Sequence, residues 1–473
     1  MSAATPGRIS PLDPTATEPF YRQIYERFRD AIANGMLKPG DRIPSARALT
    51  GELGLARGTI ETAYSLLAAE GLIEARGQAG TIVSPDLKPR TLMASPAPPL
   101  DFAPDALSFR PDTILPFQMG LPALDAFPRK IWARLTARRA RAMQPSDMIH
   151  PPVQGLPLLR AEVARYLQVS RGINCTASQV FITSGYRQTV ELIGNALLQA
   201  GDRVWLEDPG YPPTREICKY MHVESVLVPV DGQGMVVSDA VKLAPLARAA
   251  VVTPAHQSPL GMSLSLPRRL ALLDWAARNK AWIIEDDYDG EYRYVSRPLP
   301  ALKNLDRDGR VLYAGTFSKV LFPGMRLAYL VVPEEQVELF EQVTESLSAG
   351  CPGLTQSIVT AFISEGHFAR HIQRMRKLYA ERREATAAGL ESVLGKYVRI
   401  DLQPGGMHLI LRLRGNRSDR RLVASMRKQK LYAEALTDWT ARNDGASALL
   451  LSFTNIDSQR TAENLGGRIL KMM

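Results

Sequence analysis

Cysteine is scarce in this chain. Cys175, Cys218 and Cys351 lie far apart and form neither a metal-ligand spacing nor a disulfide framework, which fits a reducing cytoplasm and leaves no metal site to expect. Long apolar runs are missing as well, so no bilayer-spanning helix is expected. The start, Met1-Ser2-Ala3-Ala4-Thr5-Pro6, has neither the charged nor the apolar region of a signal peptide. There is no internal repeat. What remains is a chain of 473 residues, 45% apolar and 22% charged, too long for one ordinary core and suited to two or three domains.

Basic residues exceed acidic ones by ten, yet residues 1–90 hold eleven Lys/Arg against ten Asp/Glu and account for only +1 of the +10. Any nucleic-acid argument for that segment must rest on arrangement rather than bulk charge. The arrangement is informative. Tyr21, Ile24, Tyr25, Phe28 and Ile32 recur at helical spacing and predict an amphipathic helix. Gly35 and Pro39-Gly40 end it. Pro44-Ser45 opens a short second helix with Ser45 as its N-cap, and Gly54 breaks it. A third helix starts near Arg57, turns Ile60, Tyr64 and Leu67 inward, and closes at Gly71. Leu72-Ile73-Glu74 and Gly80-Thr81-Ile82-Val83 then read as a hairpin. Three helices and a hairpin make a winged helix-turn-helix, whose third helix enters the major groove.

From Ser84 to Asp112 the prolines at 85, 89, 96, 98, 99, 104 and 111 break regular structure and predict a semi-rigid spacer. The division is 1–84 head, 85–112 linker and 113–473 body. In the body, strand-like runs at 180–183, 203–207, 225–230, 249–253, 281–286, 310–314 and 327–332 alternate with helical segments such as 187–198 and 267–278. The fold class is therefore α/β with a mainly parallel sheet, in which ligand groups gather at strand ends and helix starts.

Gly315-Thr316-Phe317-Ser318-Lys319 and the following residues to Arg326 form the most telling loop. One lysine, two hydroxyls and an arginine suit an aldehyde cofactor that also carries a phosphate. Thr183-Ser184-Gly185-Tyr186 ends a strand and starts a helix, whose free N–H groups cradle phosphate. Tyr211 is placed to lie over a flat ring, against the alternative of plain packing. Thr253-Pro254-Ala255-His256-Gln257-Ser258 is a further strand-end loop. The apolar strand ending in Glu285-Asp286-Asp287-Tyr288-Asp289 needs a positive partner or a metal, and a protonated pyridine nitrogen is such a partner.

Lys38-Pro39-Gly40-Asp41-Arg42-Ile43-Pro44-Ser45-Ala46-Arg47 and the stretch from Arg57 to Ile73 resemble the GntR family of bacterial DNA-binding domains. The resemblance implies that Arg47, Arg57 and Thr59 face double-stranded operator DNA, with Gly80 and Thr81 in the wing. Ala56 stands where the family has a capping serine and Gln78 where it has a wing glycine. The Lys319 loop resembles that of fold-type I pyridoxal-phosphate (PLP) enzymes, and the whole chain resembles the MocR/GabR group, a GntR head fused to an aminotransferase-like body. That resemblance implies Lys319 as the Schiff-base lysine, Asp286 at the pyridine nitrogen, Tyr288 at the phenolic oxygen and Tyr211 on the ring. It implies Ser184, Gly185, Tyr186, Thr316, Ser318 and Arg326 at the phosphate. His256, Gln257 and Ser258 lie where the superfamily has an asparagine, with the contacting residue left open. Asp286 is preferred over Asp287 because the related pattern places the tyrosine two residues on. The strand Ala448–Phe453 lacks the arginine that in such enzymes grips a substrate carboxylate, so either the ligand lacks that group or Arg412 or Arg414 serves, against a reading of both as a solvated strand face.

These readings lead to a cytoplasmic, homodimeric, PLP-dependent transcriptional regulator that senses an amino compound through aldimine exchange at Lys319. The alternatives are a working aminotransferase with an accessory winged-helix domain and a sensor of PLP itself. Turnover separates the first from the second.

Overall fold

The computed structural model describes residues 12–16, 18–77, 80–87, 113–294, 300–347, 350–441 and 447–473. Its contacts divide the chain into two compact units, Met1–Phe109 and Arg110–Met473. The linker prolines from Pro89 onward and the wing residue Gln78 lie outside the described residues.

In the first unit, α1 (Phe20–Ala33), α2 (Ala46–Leu53) and α3 (Arg57–Ala69) pack around Ile24, Phe28, Leu49, Ile60 and Leu67. Phe28 meets Tyr64 edge-on at 5.7 Å, and the Tyr64 hydroxyl donates to the Pro44 carbonyl at 2.7 Å. Ser45 caps α2 by accepting from Ala48 N at 3.2 Å, and Gly54 ends that helix at φ +66°. Ala56, the N-cap of α3, supplies no side-chain cap. The predicted hairpin is β2 (Ile73–Ala75) and β3 (Thr81–Val83). A third strand, β1 (Arg42–Ile43), pairs with β3, which was not expected because two residues carry no periodicity.

The second unit is built on an eight-stranded sheet. Its strands are β4 (Val180–Thr183), β5 (Arg203–Asp208), β6 (Glu224–Asp231), β7 (Gly234–Met235), β8 (Ala249–Val252), β9 (Trp282–Asp287), β10 (Val311–Thr316) and β11 (Ala328–Val331). They lie in the order β4-β11-β10-β9-β8-β5-β6-β7. Helices α4 (Arg129–Arg141), α5 (Pro157–Arg171), α6 (Tyr186–Leu197), α7 (Pro212–Tyr220), α8 (Val237–Leu243), α9 (Leu266–Asn279), α10 (Val337–Leu347) and α11 (Gly353–Ser364) accompany the sheet. The long α12 (His367–Leu394) leads to a four-stranded antiparallel sheet of β12 (Val398–Asp401), β13 (His408–Leu413), β14 (Glu434–Ala435) and β15 (Ala448–Ser452), with α13 (Asp419–Lys428) and α14 (Gln459–Leu470).

The mainly parallel expectation holds, and β11 is the informative exception. It runs antiparallel to both β10 and β4. Thr316 therefore faces Ala328, and Ala328 faces Thr183, so the ends of β4 and β10 and the start of β11 meet at one edge. Asp286 and Asp287 pair with Ala314 and Gly315 and reach the same edge. This is the carboxyl edge of the sheet, where open α/β folds bind ligands. Among the described residues no helix is long and apolar enough to cross a membrane, and no His/Cys/Asp/Glu cluster could hold a metal ion.

Candidate cofactor and DNA-binding sites

A cavity opens at this edge, lined by Tyr186, Glu207, Tyr211, Thr253 and Asp286 among others. Alternation along β9 decides what its two aspartates do. Asp287 accepts from Arg171 Nε and from the Tyr313 hydroxyl, both at 2.6 Å, and from Gly290 N at 3.1 Å. Arg171 also reaches Glu291 at 3.2 Å, and Glu291 accepts from Tyr166 at 2.8 Å. Asp286 has no hydrogen-bond partner among the described residues and faces the cavity. Burial, followed by Asp287, Asp289 and Glu207, holds its carboxyl well above the usual carboxylate range; Lys319 pulls the other way.

Lys319 lies on the 317–327 loop between β10 and β11. Burial pushes its amine below its usual value, opposed by Asp289, Glu434 and Asp286. That direction favours the unprotonated amine, the form that acts as a nucleophile. It donates to the Gly120 carbonyl at 3.0 Å. Gly120 has φ +76°, and a Cβ there would sit 2.7 Å from the amine, so the close approach needs glycine. The lead-in stretch that carries Gly120 is bound to the C-terminal sheet, with Ser452 N donating to Phe117 O at 3.1 Å and Thr454 Oγ1 to Leu121 O at 2.6 Å. From the other side, His371 of α12 donates to the Val320 carbonyl at 2.9 Å.

The Tyr288 hydroxyl meets His256 Nδ1 at 3.0 Å and hydrogen-bonds the Ser258 side chain. Asp289 also contacts His256 Nδ1, at 3.1 Å. His256 and Ser258 thus converge on one phenol. Gln257, which the sequence leaves as an option, is fully buried. It spends its amide on Pro209 O at 2.8 Å and Leu260 N at 2.9 Å, holding the loop's shape. Glu207, raised to about 7 by burial, accepts from Thr253 at 2.5 Å.

Ser184, Gly185 and Tyr186 form the entrance to α6. Gly185 stands at φ +120°, and a Cβ there would lie 3.3 Å from the Arg326 guanidinium. A helix N-terminus, an arginine and the hydroxyls of Thr316 and Ser318 form the parts of a phosphate cradle. Thr316 Oγ1 accepts from Ser318 N at 3.1 Å. Tyr186 bonds Thr214 at 2.8 Å and meets Tyr211 edge-on at 5.6 Å. Tyr211 lines the cavity, with 40% of its surface exposed. Arg412 lies elsewhere: it pairs with Asp401 at 2.6 Å on β12, as a strand-face residue does.

Gly120, Glu434 and His371 escape sequence reasoning. They come from segments distant in the chain, with no local pattern to single them out. Asp289 does lie in a strand-end stretch that its carboxylates single out.

In the head, Arg47, Arg57 and Gly80 are exposed, and Thr59 and Thr81 partly so. Arg57 ion-pairs with Glu61 at 2.7 Å along α3, with 72% of its side chain exposed.

Together these features define a class: a winged helix-turn-helix joined to a fold-type I aminotransferase-like body. Residues 20–83 match the bacterial regulatory proteins of the gntR family, and residues 120–458 match aminotransferase class I and II. The chain is 34% identical to the probable rhizopine catabolism regulatory protein MocR of Rhizobium meliloti, over 96% of this chain and 94% of that one. It is 33% identical to the HTH-type pyridoxine biosynthesis transcriptional regulator PdxR of Corynebacterium glutamicum, over 97% and 96%. The body is similar to LysN, the α-aminoadipate aminotransferase of Thermus thermophilus complexed with N-(5'-phosphopyridoxyl)-L-leucine. That likeness has a TM-score of 0.69 and 28% identity, covering 76% of this chain and 92% of LysN. The chain belongs to the MocR-type GntR regulators. It is a DNA-binding transcriptional regulator, and its cofactor is pyridoxal 5'-phosphate.

The residues present fit that cofactor. Asp286 is a buried carboxyl without a hydrogen bond, facing a cavity, and a ring N–H would complete it. The glycine-lined helix start beside Arg326 supplies the phosphate end.

Proposed function

We propose that the body senses an amino compound at Lys319 and that this changes how the heads engage DNA. The observation that carries the reading is the amine of Lys319, held by the Gly120 carbonyl at 3.0 Å within electrostatic reach of the cavity-facing carboxyl of Asp286. Bound there, PLP supplies an aldehyde carbon for reversible bonding to an amine and a ring that draws off electrons. Asp286 would hold the ring nitrogen, Tyr288 with His256 and Ser258 the phenolic oxygen, and Tyr211 a ring face. Ser184, Gly185, Tyr186, Thr316, Ser318 and Arg326 would hold the phosphate. Arg47, Arg57, Thr59, Gly80 and Thr81 would face the operator.

The head is taken as 1–84, the linker as 85–112 and the body as 113–473. The linker transmits a shift between two states of the body. The molecule is a cytoplasmic homodimer, as paired half-sites favour.

Lys319→Ala is the test. The purified variant loses borohydride-fixed cofactor and its response to candidate amines, yet retains specific DNA binding. An amine response that survives in the variant overturns the reading. Transamination by the wild type at about 1 per second or faster would favour an enzyme instead.

A further inference from the structure

We propose that α4 of the body is a second DNA-contacting surface that grips the phosphate backbone. The starting point is the charge distribution. The head segment 1–90 carries +1 of the chain's +10, so +9 lies beyond it. The helix Arg129–Arg141 holds Arg129, Lys130, Arg134, Arg138, Arg139 and Arg141 and no acidic residue. Lys130, Arg134, Arg138 and Arg141 fall at i, i+4, i+8 and i+11, which is one stripe of a helix, and all four are exposed. The stripe is about 16 Å long at 1.5 Å per residue.

The opposite face is anchored. Leu135 is fully buried, and Trp132 packs edge-on against Phe322 and Phe362 at 5.3 and 5.8 Å. The stripe is thus presented by a helix seated in the core. Helix α12 extends it. Arg374 donates to Ala126 O at 2.5 Å, just ahead of α4, and Arg370 donates to Glu365 O at 2.9 Å. Glu365 offsets part of this charge by pairing with Arg138. Asp147 spends its carboxylate capping Gln144 N at 2.9 Å. Lys130, Arg134 and Arg141 have no ion-pair partner among the described residues.

Helix electrostatics alone does not account for the pattern. Cations in the last turn complement the macrodipole, which covers Arg138, Arg139 and Arg141. Arg129 and Lys130 sit in the first turn, where a cation is unfavourable, and Arg134 is mid-helix. A solvated face would interleave both signs. A stripe of one sign complements a polyanion that carries one charge per about 1.7 Å of axis, and this molecule is already a DNA binder.

The experiment uses full-length protein and a 60-bp duplex of random sequence, since phosphate contacts are sequence-independent. Lys130→Gln/Arg134→Gln/Arg141→Gln is compared with wild type and with Lys219→Gln/Lys280→Gln/Lys471→Gln, which removes the same charge elsewhere on the body. The slope of log affinity against log salt is the readout. In the α4 variant it falls by about 2.7 per engaged protomer, so that wild type loses roughly 40-fold more affinity than the variant between 50 and 200 mM salt. The control variant keeps the wild-type slope. An unchanged slope in the α4 variant, or an equal fall in both, overturns the proposal. Unchanged cofactor absorbance and circular dichroism verify folding.

Discussion

Asp286 and Asp287 are neighbours on β9 with opposite fates, because successive strand side chains point to opposite faces. Asp287 answers Arg171 in a buried network, so removing its charge leaves the guanidinium with Glu291 alone. Asp287→Asn is expected to cost about 3 kcal/mol, the lower end for breaking a buried pair, and to lower the thermal midpoint visibly. Asp286→Asn does the reverse. Cofactor-free protein melts no lower, because the carboxyl it loses is held well above its ordinary range by burial. Affinity for the cofactor, followed by visible absorbance, falls ten- to a hundred-fold, the worth of a charged hydrogen bond. The sequence narrows the choice to this pair. The partner that commits Asp287, Arg171, lies more than a hundred residues away on α5, where no local signal points to it.

At the scale of elements, the strands were legible because each is a short apolar run that ends in polar chemistry. Their ends differ by a residue or two: β10 continues through Thr316 and β9 through Asp287. The short strands β1, β7 and β14 leave no mark in two-residue segments, and the lead-in around Gly120 has no periodicity at all. Helix α12 shows what such readings miss, since His371 supports the lysine loop across fifty residues of sequence. Its Nδ1 is buried without a partner and its Nε2 donates, so the ring is neutral; burial lowers it from 6.5 to about 4. The unfolded ring takes a proton below about 6.5 while the folded ring refuses it until about 4, so the contribution is whole above 6.5 and drains as pH falls towards 4. Between those pH values wild type should lose about 3 kcal/mol relative to His371→Gln in chemical denaturation. Using the difference matters because Glu207 and Glu285, each raised to about 7, lend stability at low pH and lose it as pH rises.

At the scale of the molecule, the division into head and body follows from composition, since the prolines of 85–112 separate two patterned regions. Charge distribution was equally open to reading, though only the folded α4 shows which cations share a face. The expectation of a dimer rests on the paired half-sites that winged heads read. Light scattering on full-length protein should give about twice the chain mass of 52.2 kDa. The Lys319→Ala variant should give the same, as the lysine bonds within its own body. A monomer at micromolar concentration would remove the dimer from the account.

The bond from Lys319 to Gly120 carries one last implication. That carbonyl belongs to the first described stretch after the linker, tied on its other side to the C-terminal sheet. Nitrogen and carbonyl hold each other only while neither has a better suitor. Any molecule that claims the nitrogen sets the carbonyl at liberty, and the backbone around Gly120 is the first to be released.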